Sequence, residues 1–117
     1  LALGDFYDLG EKTVEALSST LGIEATLVKP YFASGIDQNL LDNLVKDHDV
    51  IVTIEDGIIE GGWGQNIASY LGTSPARVLN YGVKKAFYDR VNVAELMRES
   101  HLEPELIAAD VKQVLGL

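Results

Sequence analysis

The run Val50-Ile51-Val52-Thr53-Ile54-Glu55-Asp56, with Gly61-Gly62-Trp63-Gly64-Gln65 close behind it, constrains this chain more than any other stretch. From Val50 to Ile54 only Thr53 is polar, and unbroken apolarity over that length predicts a strand covered on both faces, as in a parallel sheet. Such a strand needs helices above and below it. Its carboxyl end delivers Glu55 and Asp56 to the sheet edge at which open α/β folds meet ligands, cofactors or partner domains. The glycines that follow open a helix.

The rest of the chain supplies the layers. Leu1 to Leu3 read as the tail of a strand ending at Gly4. Glu11 to Leu21 form a helix with Val14, Leu17 and Leu21 on one face, closed by Gly22. Glu24 to Val28 are expected as a second strand, stopped before Pro30. Asp37 is placed to cap a helix over 38–46, in which Leu40, Leu41, Leu44 and Val45 make the core stripe. After the Val50 strand, a helix over 64–71 turns Ile67, Tyr70 and Leu71 inward. A fourth strand covers Arg77 to Tyr81. Asn92 and Glu95 have the spacing of a capping box for a helix carrying Val93, Leu96 and Met97. Pro104 suits the first turn of a last helix, with Leu106, Ile107, Val111, Val114 and Leu115 on one side. Strands alternating with helices require crossover connections. The expected fold class is therefore α/β: one domain over 1–117, a three-layer α/β/α sandwich on a mainly parallel sheet.

Composition removes several function classes. The chain has 117 residues, 47% of them hydrophobic and 23% charged, enough for one domain that buries roughly 65% of its unfolded surface. Its 18 acidic and 9 basic side chains give a net charge of -9, so no nucleic acid is expected as a partner, because a phosphate backbone calls for clustered Lys and Arg. No apolar run reaches the roughly 18 residues of a membrane helix, and no membrane partner is expected. The absence of cysteine excludes a disulfide framework, a thiolate metal site and a cysteine nucleophile, and it suits the reducing cytoplasm in which the chain is expected to reside.

The candidate site is Glu55, Asp56, Gly61, Gly62, Trp63 and Gly64. A helix start at Gly62 to Gln65 could turn backbone N–H groups toward an anion. It lacks the Lys and Ser/Thr of a phosphate-binding loop and the full dinucleotide fingerprint, and the glycines are read first as a sharp turn with close helix packing. Glu55 and Asp56 are neighbours in an extended segment, so they point to opposite faces and cannot share a proton. A loop anchor or helix-start acceptor is the expected role for one of them. His48 and His101 lie near helix ends and read as surface caps, and two histidines outside any ligand spacing leave no metal site. Tyr31, Phe32, Trp63, Tyr81, Phe87 and Tyr88 gather at strand ends, where aromatics often seal an interface.

Taken together, Val50-Ile-Val-Thr-Ile-Glu55-Asp56, Gly61-Gly62-Trp63-Gly64 and Val78-Leu-Asn-Tyr-Gly82 resemble the C-terminal domain of the transketolase-like enzymes. Lys29-Pro-Tyr-Phe32 leading to Ile36-Asp37 and the closing Leu102-Glu-Pro-Glu-Leu-Ile107 extend the resemblance almost end to end, toward the 1-deoxy-D-xylulose-5-phosphate synthase branch. It implies a homodimeric enzyme dependent on thiamine diphosphate and Mg2+ that condenses pyruvate with glyceraldehyde 3-phosphate. It also implies that cofactor and metal are held by other domains, so that this segment carries no catalytic, cofactor-binding or metal residue. Its partners are then the preceding domains of the same chain and a second subunit, met through the loops around Glu55 and Gly64. Two alternatives stay open at this point. One is a regulatory module binding a small anion at the glycine-rich helix start; the other is the same domain in a different transketolase-like enzyme or in a 2-oxoacid dehydrogenase β-subunit.

Overall fold

The computed structural model describes residues 1–117. Two strands, β1 (Val50–Ile58) and β2 (Arg77–Val83), pair in parallel from Val50↔Arg77 to Ile54↔Tyr81. The register then slips before Ile58↔Val83. On the other edge of β1, Ala2 forms a parallel bridge to Ile54. Leu3 N donates to Ile54 O and Ile54 N to Leu1 O, at 2.8 and 2.9 Å. Ala2 N in turn donates to Val28 O at 3.1 Å, so Leu1–Leu3 lies between β1 and the segment ending at Val28.

Five helices cover the two faces: α1 (Tyr7–Leu21), α2 (Gln38–Asp47), α3 (Trp63–Tyr70), α4 (Val93–Glu99) and α5 (Pro104–Leu115). Strand alternation divides the core. Ala2, Ile54 and Tyr81 turn to one side and pack with Leu17 of α1 and Ile107, Ala108 and Val111 of α5. Ile51 turns to the other side and meets Leu41 of α2 and Trp63 and Ile67 of α3. The arrangement is the expected three layers, and none of the helices is long and apolar enough to cross a membrane.

The caps follow their sequence cues. Asp37 Oδ1 accepts from Leu40 N at 3.0 Å and Asn92 Oδ1 from Glu95 N at 3.2 Å. Pro104 occupies the first turn of α5.

Four expectations need correction. Glu24–Val28 is not a strand: Glu24 to Leu27 make no backbone hydrogen bond, and Val28 accepts only the one from Ala2. A strand exists through its ladder, and the three residues Leu1–Leu3 are too short a neighbour to provide one. The strand expected to stop at Ile54 runs on to Ile58, because the register slip after Ile54 lets pairing with β2 resume. In α4, Val93 is 69% exposed while Leu96 and Met97 are half-buried, since a two-turn helix on the rim can turn only its last turn to the core. α1 also begins at Tyr7, ahead of the apolar periodicity that marks it.

On the α5 side, Tyr81 is 6% exposed, and its hydroxyl donates to Asp110 Oδ2 at 2.8 Å. Desolvation, with the Asp110 hydrogen bond and charge adding to it, pushes the phenol far above its ordinary value of 10.0. In the unfolded chain a tyrosine ionises near pH 10. The neutral, buried Tyr81 therefore contributes stability that is fully present below that pH and is lost as pH rises beyond it, with a limiting slope of about 1.4 kcal/mol per pH unit. Urea unfolding at about pH 9, 10 and 11 should show the parent losing about 1 kcal/mol more than Tyr81→Phe over the last step. Parallel profiles for the two proteins would rule the account out.

Candidate functional site at the strand exit

Ile51, Thr53 and Glu55 alternate onto the α3 face of β1, and Glu55 ends that row with 5% of its surface exposed. Its carboxylate reaches the first turn of α3. Oε2 accepts from Trp63 N and Oε1 from Gly64 N, each at 3.0 Å. The helix has no capping side chain of its own, since Gly62 occupies the N-cap position. Glu55 fills that role from the neighbouring strand, satisfying two donors that the helix cannot satisfy itself and facing the positive end of its dipole. Gln65 completes the turn by accepting from Gly61 N through Oε1 at 2.8 Å.

Close approach explains the glycines. A Cβ on Gly62 would lie 2.5 Å from Ile58 O and 2.7 Å from Glu55 Oε1. One on Gly64 would lie 2.4 Å from Thr53 Oγ1 and 2.9 Å from Asn80 Oδ1. Beneath the turn, Thr53 Oγ1 donates to Asn80 Oδ1 at 2.6 Å, tying β1 to β2 under the helix start.

This geometry bears directly on the site read from sequence. Glu55, Gly62, Trp63 and Gly64 come together as one packed junction, and Trp63 is 7% exposed. Asp56, on the opposite face of β1, is exposed, and so is Gly61. The N–H groups of Trp63 and Gly64, the donors an external anion would need, already belong to Glu55. The expectation that Trp63 and Glu55 face a neighbour is therefore corrected: both lie inside the domain. Sequence reasoning gave a loop-anchor or helix-start role to one of Glu55 and Asp56 without choosing between them, and it missed Thr53 and Asn80, whose contact depends on a β1–β2 register that only pairing establishes.

The edge around this junction is held by a second carboxylate. Glu60 accepts from Lys85 N at 2.8 Å, joining the loop after β1 to the loop after β2. Its own backbone N–H, then that of Lys85, hold its carboxyl below the ordinary range.

The aromatics divide. Trp63 and Tyr81 are core residues, whereas Tyr31 and Phe32 are 88% and 78% exposed and Phe87 is fully exposed. Tyr88 is exposed as well, with its hydroxyl donating to Lys84 O. These four sit on the loops that leave Val28 and β2, at the carboxyl edge of the sheet.

Both histidines act at helix ends. His48 is the C-cap of α2, with Nδ1 2.9 Å from Leu44 O and Nε2 2.9 Å from Thr26 Oγ1. A carbonyl can only accept, so Nδ1 carries the proton toward Leu44. His101 adopts a left-handed φ of 55° just past α4, and its Nδ1 lies 2.8 Å from Asp110 Oδ2.

The residues present do not fit thiamine diphosphate with its metal. No three His, Cys, Asp or Glu side chains are grouped as metal ligands. The glycine-rich helix start, which would suit a diphosphate, has its donors engaged by Glu55.

Against proteins of known sequence and structure, the chain has clear relatives. It is 34% identical over 109 residues to a 1-deoxy-D-xylulose-5-phosphate synthase of Colwellia psychrerythraea, covering 92% of this chain and 17% of that protein. The enzyme of the same name from Pseudoalteromonas translucida is 39% identical over 96 residues, covering 80% and 16%. A probable chloroplastic synthase of rice is 31% identical over 99% of this chain and 17% of its own length. The chain thus spans under a fifth of the length of the curated relatives it matches. Among solved structures, a split-gene transketolase described as an inactive β4 tetramer superposes with a TM-score of 0.81 at 26% identity, covering 99% of this chain and 37% of that one. The family model described as transketolase, C-terminal domain, matches residues 1–107, and with the layered parallel sheet and its glycine-rich helix start this chain belongs to that family.

Proposed function

We propose that this chain is the C-terminal assembly domain of a 1-deoxy-D-xylulose-5-phosphate synthase, a thiamine diphosphate- and Mg2+-dependent transferase that condenses pyruvate with glyceraldehyde 3-phosphate. In this reading it holds neither cofactor nor metal and supplies no catalytic group. Its work is to dock on the preceding domains of the same polypeptide and on a second subunit, in a cytoplasmic homodimer. The relatives' shared name and their much greater length support the assignment.

The observation that carries the docking role is the exposure of Tyr31, Phe32, Phe87 and Tyr88 on two loops at one edge of the sheet. Aromatic side chains left bare in this way mark surfaces that association covers. Glu60, accepting from Lys85 N, ties the loop that bears Phe87 and Tyr88 to the loop after β1. A small-anion regulatory module is disfavoured, because the donors it needs are already engaged.

The test uses the full-length synthase containing this segment. Replacing Phe32 and Phe87 together by Asp should weaken the dimer about tenfold or more by sedimentation, since desolvated aromatic anchors each contribute roughly 1–2 kcal/mol or more to such interfaces. Activity per remaining dimer should stay near the parent value. An unchanged dimer constant would overturn the docking role. Unchanged assembly together with complete loss of turnover would instead assign the loops to the reaction.

A further inference from the structure

A cavity of about 630 Å³ opens beside β2, lined by residues 79–82 of that strand, by Leu96 and Glu99 of α4 and by Asp110 of α5. β1 is the only strand neighbour of β2. Arg77 N donates to Asp49 O and Ile59 N to Val83 O, each at 2.9 Å, so the odd-numbered residues of β2 direct their backbone groups to β1. Alternation turns the N–H and C=O of Val78, Asn80 and Gly82 the other way, to the outer edge. No other segment of backbone bonds to them there. The Asn80 side chain is tied to Thr53 beneath α3, on the opposite face. What Asn80 presents to a cavity closed by α4 and α5 is therefore its backbone.

The walls specify a side chain as well as a backbone. The Tyr81 hydroxyl and His101 Nδ1 both donate to Asp110 Oδ2, each at 2.8 Å, which leaves Oδ1 as a free acceptor. Glu99 is exposed and makes no ion pair. Glu60 brings the carboxylates on the walls to three, against one ammonium, that of Lys84. Leu79 and Leu96 offer apolar surface to the stem of a long basic side chain, whose head would meet Asp110 Oδ1 and Glu99. An unpaired strand edge set among acidic walls is a template for a strand that brings positive charge.

We infer that this edge receives an extended segment of a partner polypeptide, whose backbone pairs with Asn80 and Gly82 and whose Arg or Lys side chain reaches between Glu99 and Asp110. Charge selects the partner, because a chain of net charge -9 repels an acidic segment and attracts a basic one. The contact is separate from docking through Phe32 and Phe87, and it holds for whichever transketolase-like enzyme contains the domain.

The test titrates this chain with two capped pentapeptides, Thr-Val-Arg-Val-Thr and Thr-Val-Glu-Val-Thr, and reads amide hydrogen exchange along β2. The arginine peptide is expected to slow exchange at Asn80 and Gly82 about fivefold or more, while Leu79 and Tyr81, already bonded to β1, stay within about twofold. The glutamate peptide should leave all of these amides unchanged. Glu99→Lys, a substitution on the exposed side of α4, should weaken binding of the arginine peptide about tenfold with Tm unaltered, since it replaces attraction by repulsion. Unchanged exchange at Asn80 and Gly82 with the arginine peptide overturns the inference, and so does equal binding of the two peptides. Two other occupants would also overturn it. Protection that rises with the concentration of this chain alone gives the edge to a second copy, and protection already present in the full-length synthase without peptide gives it to that protein's own domains.

Discussion

Glu55→Ala lowers the stability of this domain by about 3 kcal/mol or more, the sum expected when two buried N–H groups lose an ionised acceptor at about 1–3 kcal/mol each. Trp63 N and Gly64 N each donate to the carboxylate at 3.0 Å. Helix α3 would be left with no cap, since Gly62 has no side chain to offer. A chain of this size has roughly 6–15 kcal/mol of stability in all. The loss should therefore appear as a fall in Tm of about 10 °C or more. Glu55→Gln separates the contributions: its carbonyl still accepts one N–H while its amide faces the other, so roughly half the loss or more should remain. Urea midpoints of both variants decide the matter. A change below about 0.5 kcal/mol for Glu55→Ala, the size of an ordinary surface substitution, would mean that the carboxylate does not hold this helix.

The second large effect runs against helix propensity. Gly→Ala inside a helix ordinarily stabilises by about 0.5–1 kcal/mol. At Gly64, in the first turn of α3, the added methyl would lie 2.4 Å from Thr53 Oγ1, 2.9 Å from Asn80 Oδ1 and 3.1 Å from Glu55 Oε1. It meets the buried polar atoms that join helix to sheet, and none of them belongs to a long side chain on the surface. Gly64→Ala should therefore destabilise by about 2–3 kcal/mol, as overpacking in a filled core does. Gly35→Ala, where a Cβ would meet nothing within 4 Å, should change little. If Gly64→Ala matched Gly35→Ala in a thermal melt, the close approach of α3 to the sheet would not be a constraint on this fold.

Both effects belong to the motif that was most visible in the sequence. Its role was only partly readable there. The apolar run of β1 and the glycines after it mark a buried strand feeding a helix, because burial on both faces leaves no polar alternation and a sharp entry calls for small residues. A helix-start acceptor was legible in the Glu55–Asp56 pair, since a helix N-terminus lacks partners for its first N–H groups, but which of the two fills it was not. That Glu55 engages the two donors a ligand would have used depends on where the register slip after Ile54 puts the side chain. From the sequence Trp63 reads as an interface aromatic; in the fold it packs with Leu41 of α2 and with Ile67.

Asp37 and Asn92 as caps, Pro104 in a first turn and the inward face of α5 are local matters, decided by hydrogen bonds and spacings within a few residues. Local chemistry of that kind, with the alternation of apolar segments, determined the α/β class and its three layers from the sequence alone. Pairing is different. Whether Glu24–Val28 forms a strand, whether Val93 is covered, and which aromatics stay bare depend on groups many residues away, for which a single segment carries no record. Tertiary structure decided those points, because a ladder needs a neighbour of matching length and burial needs an opposing surface.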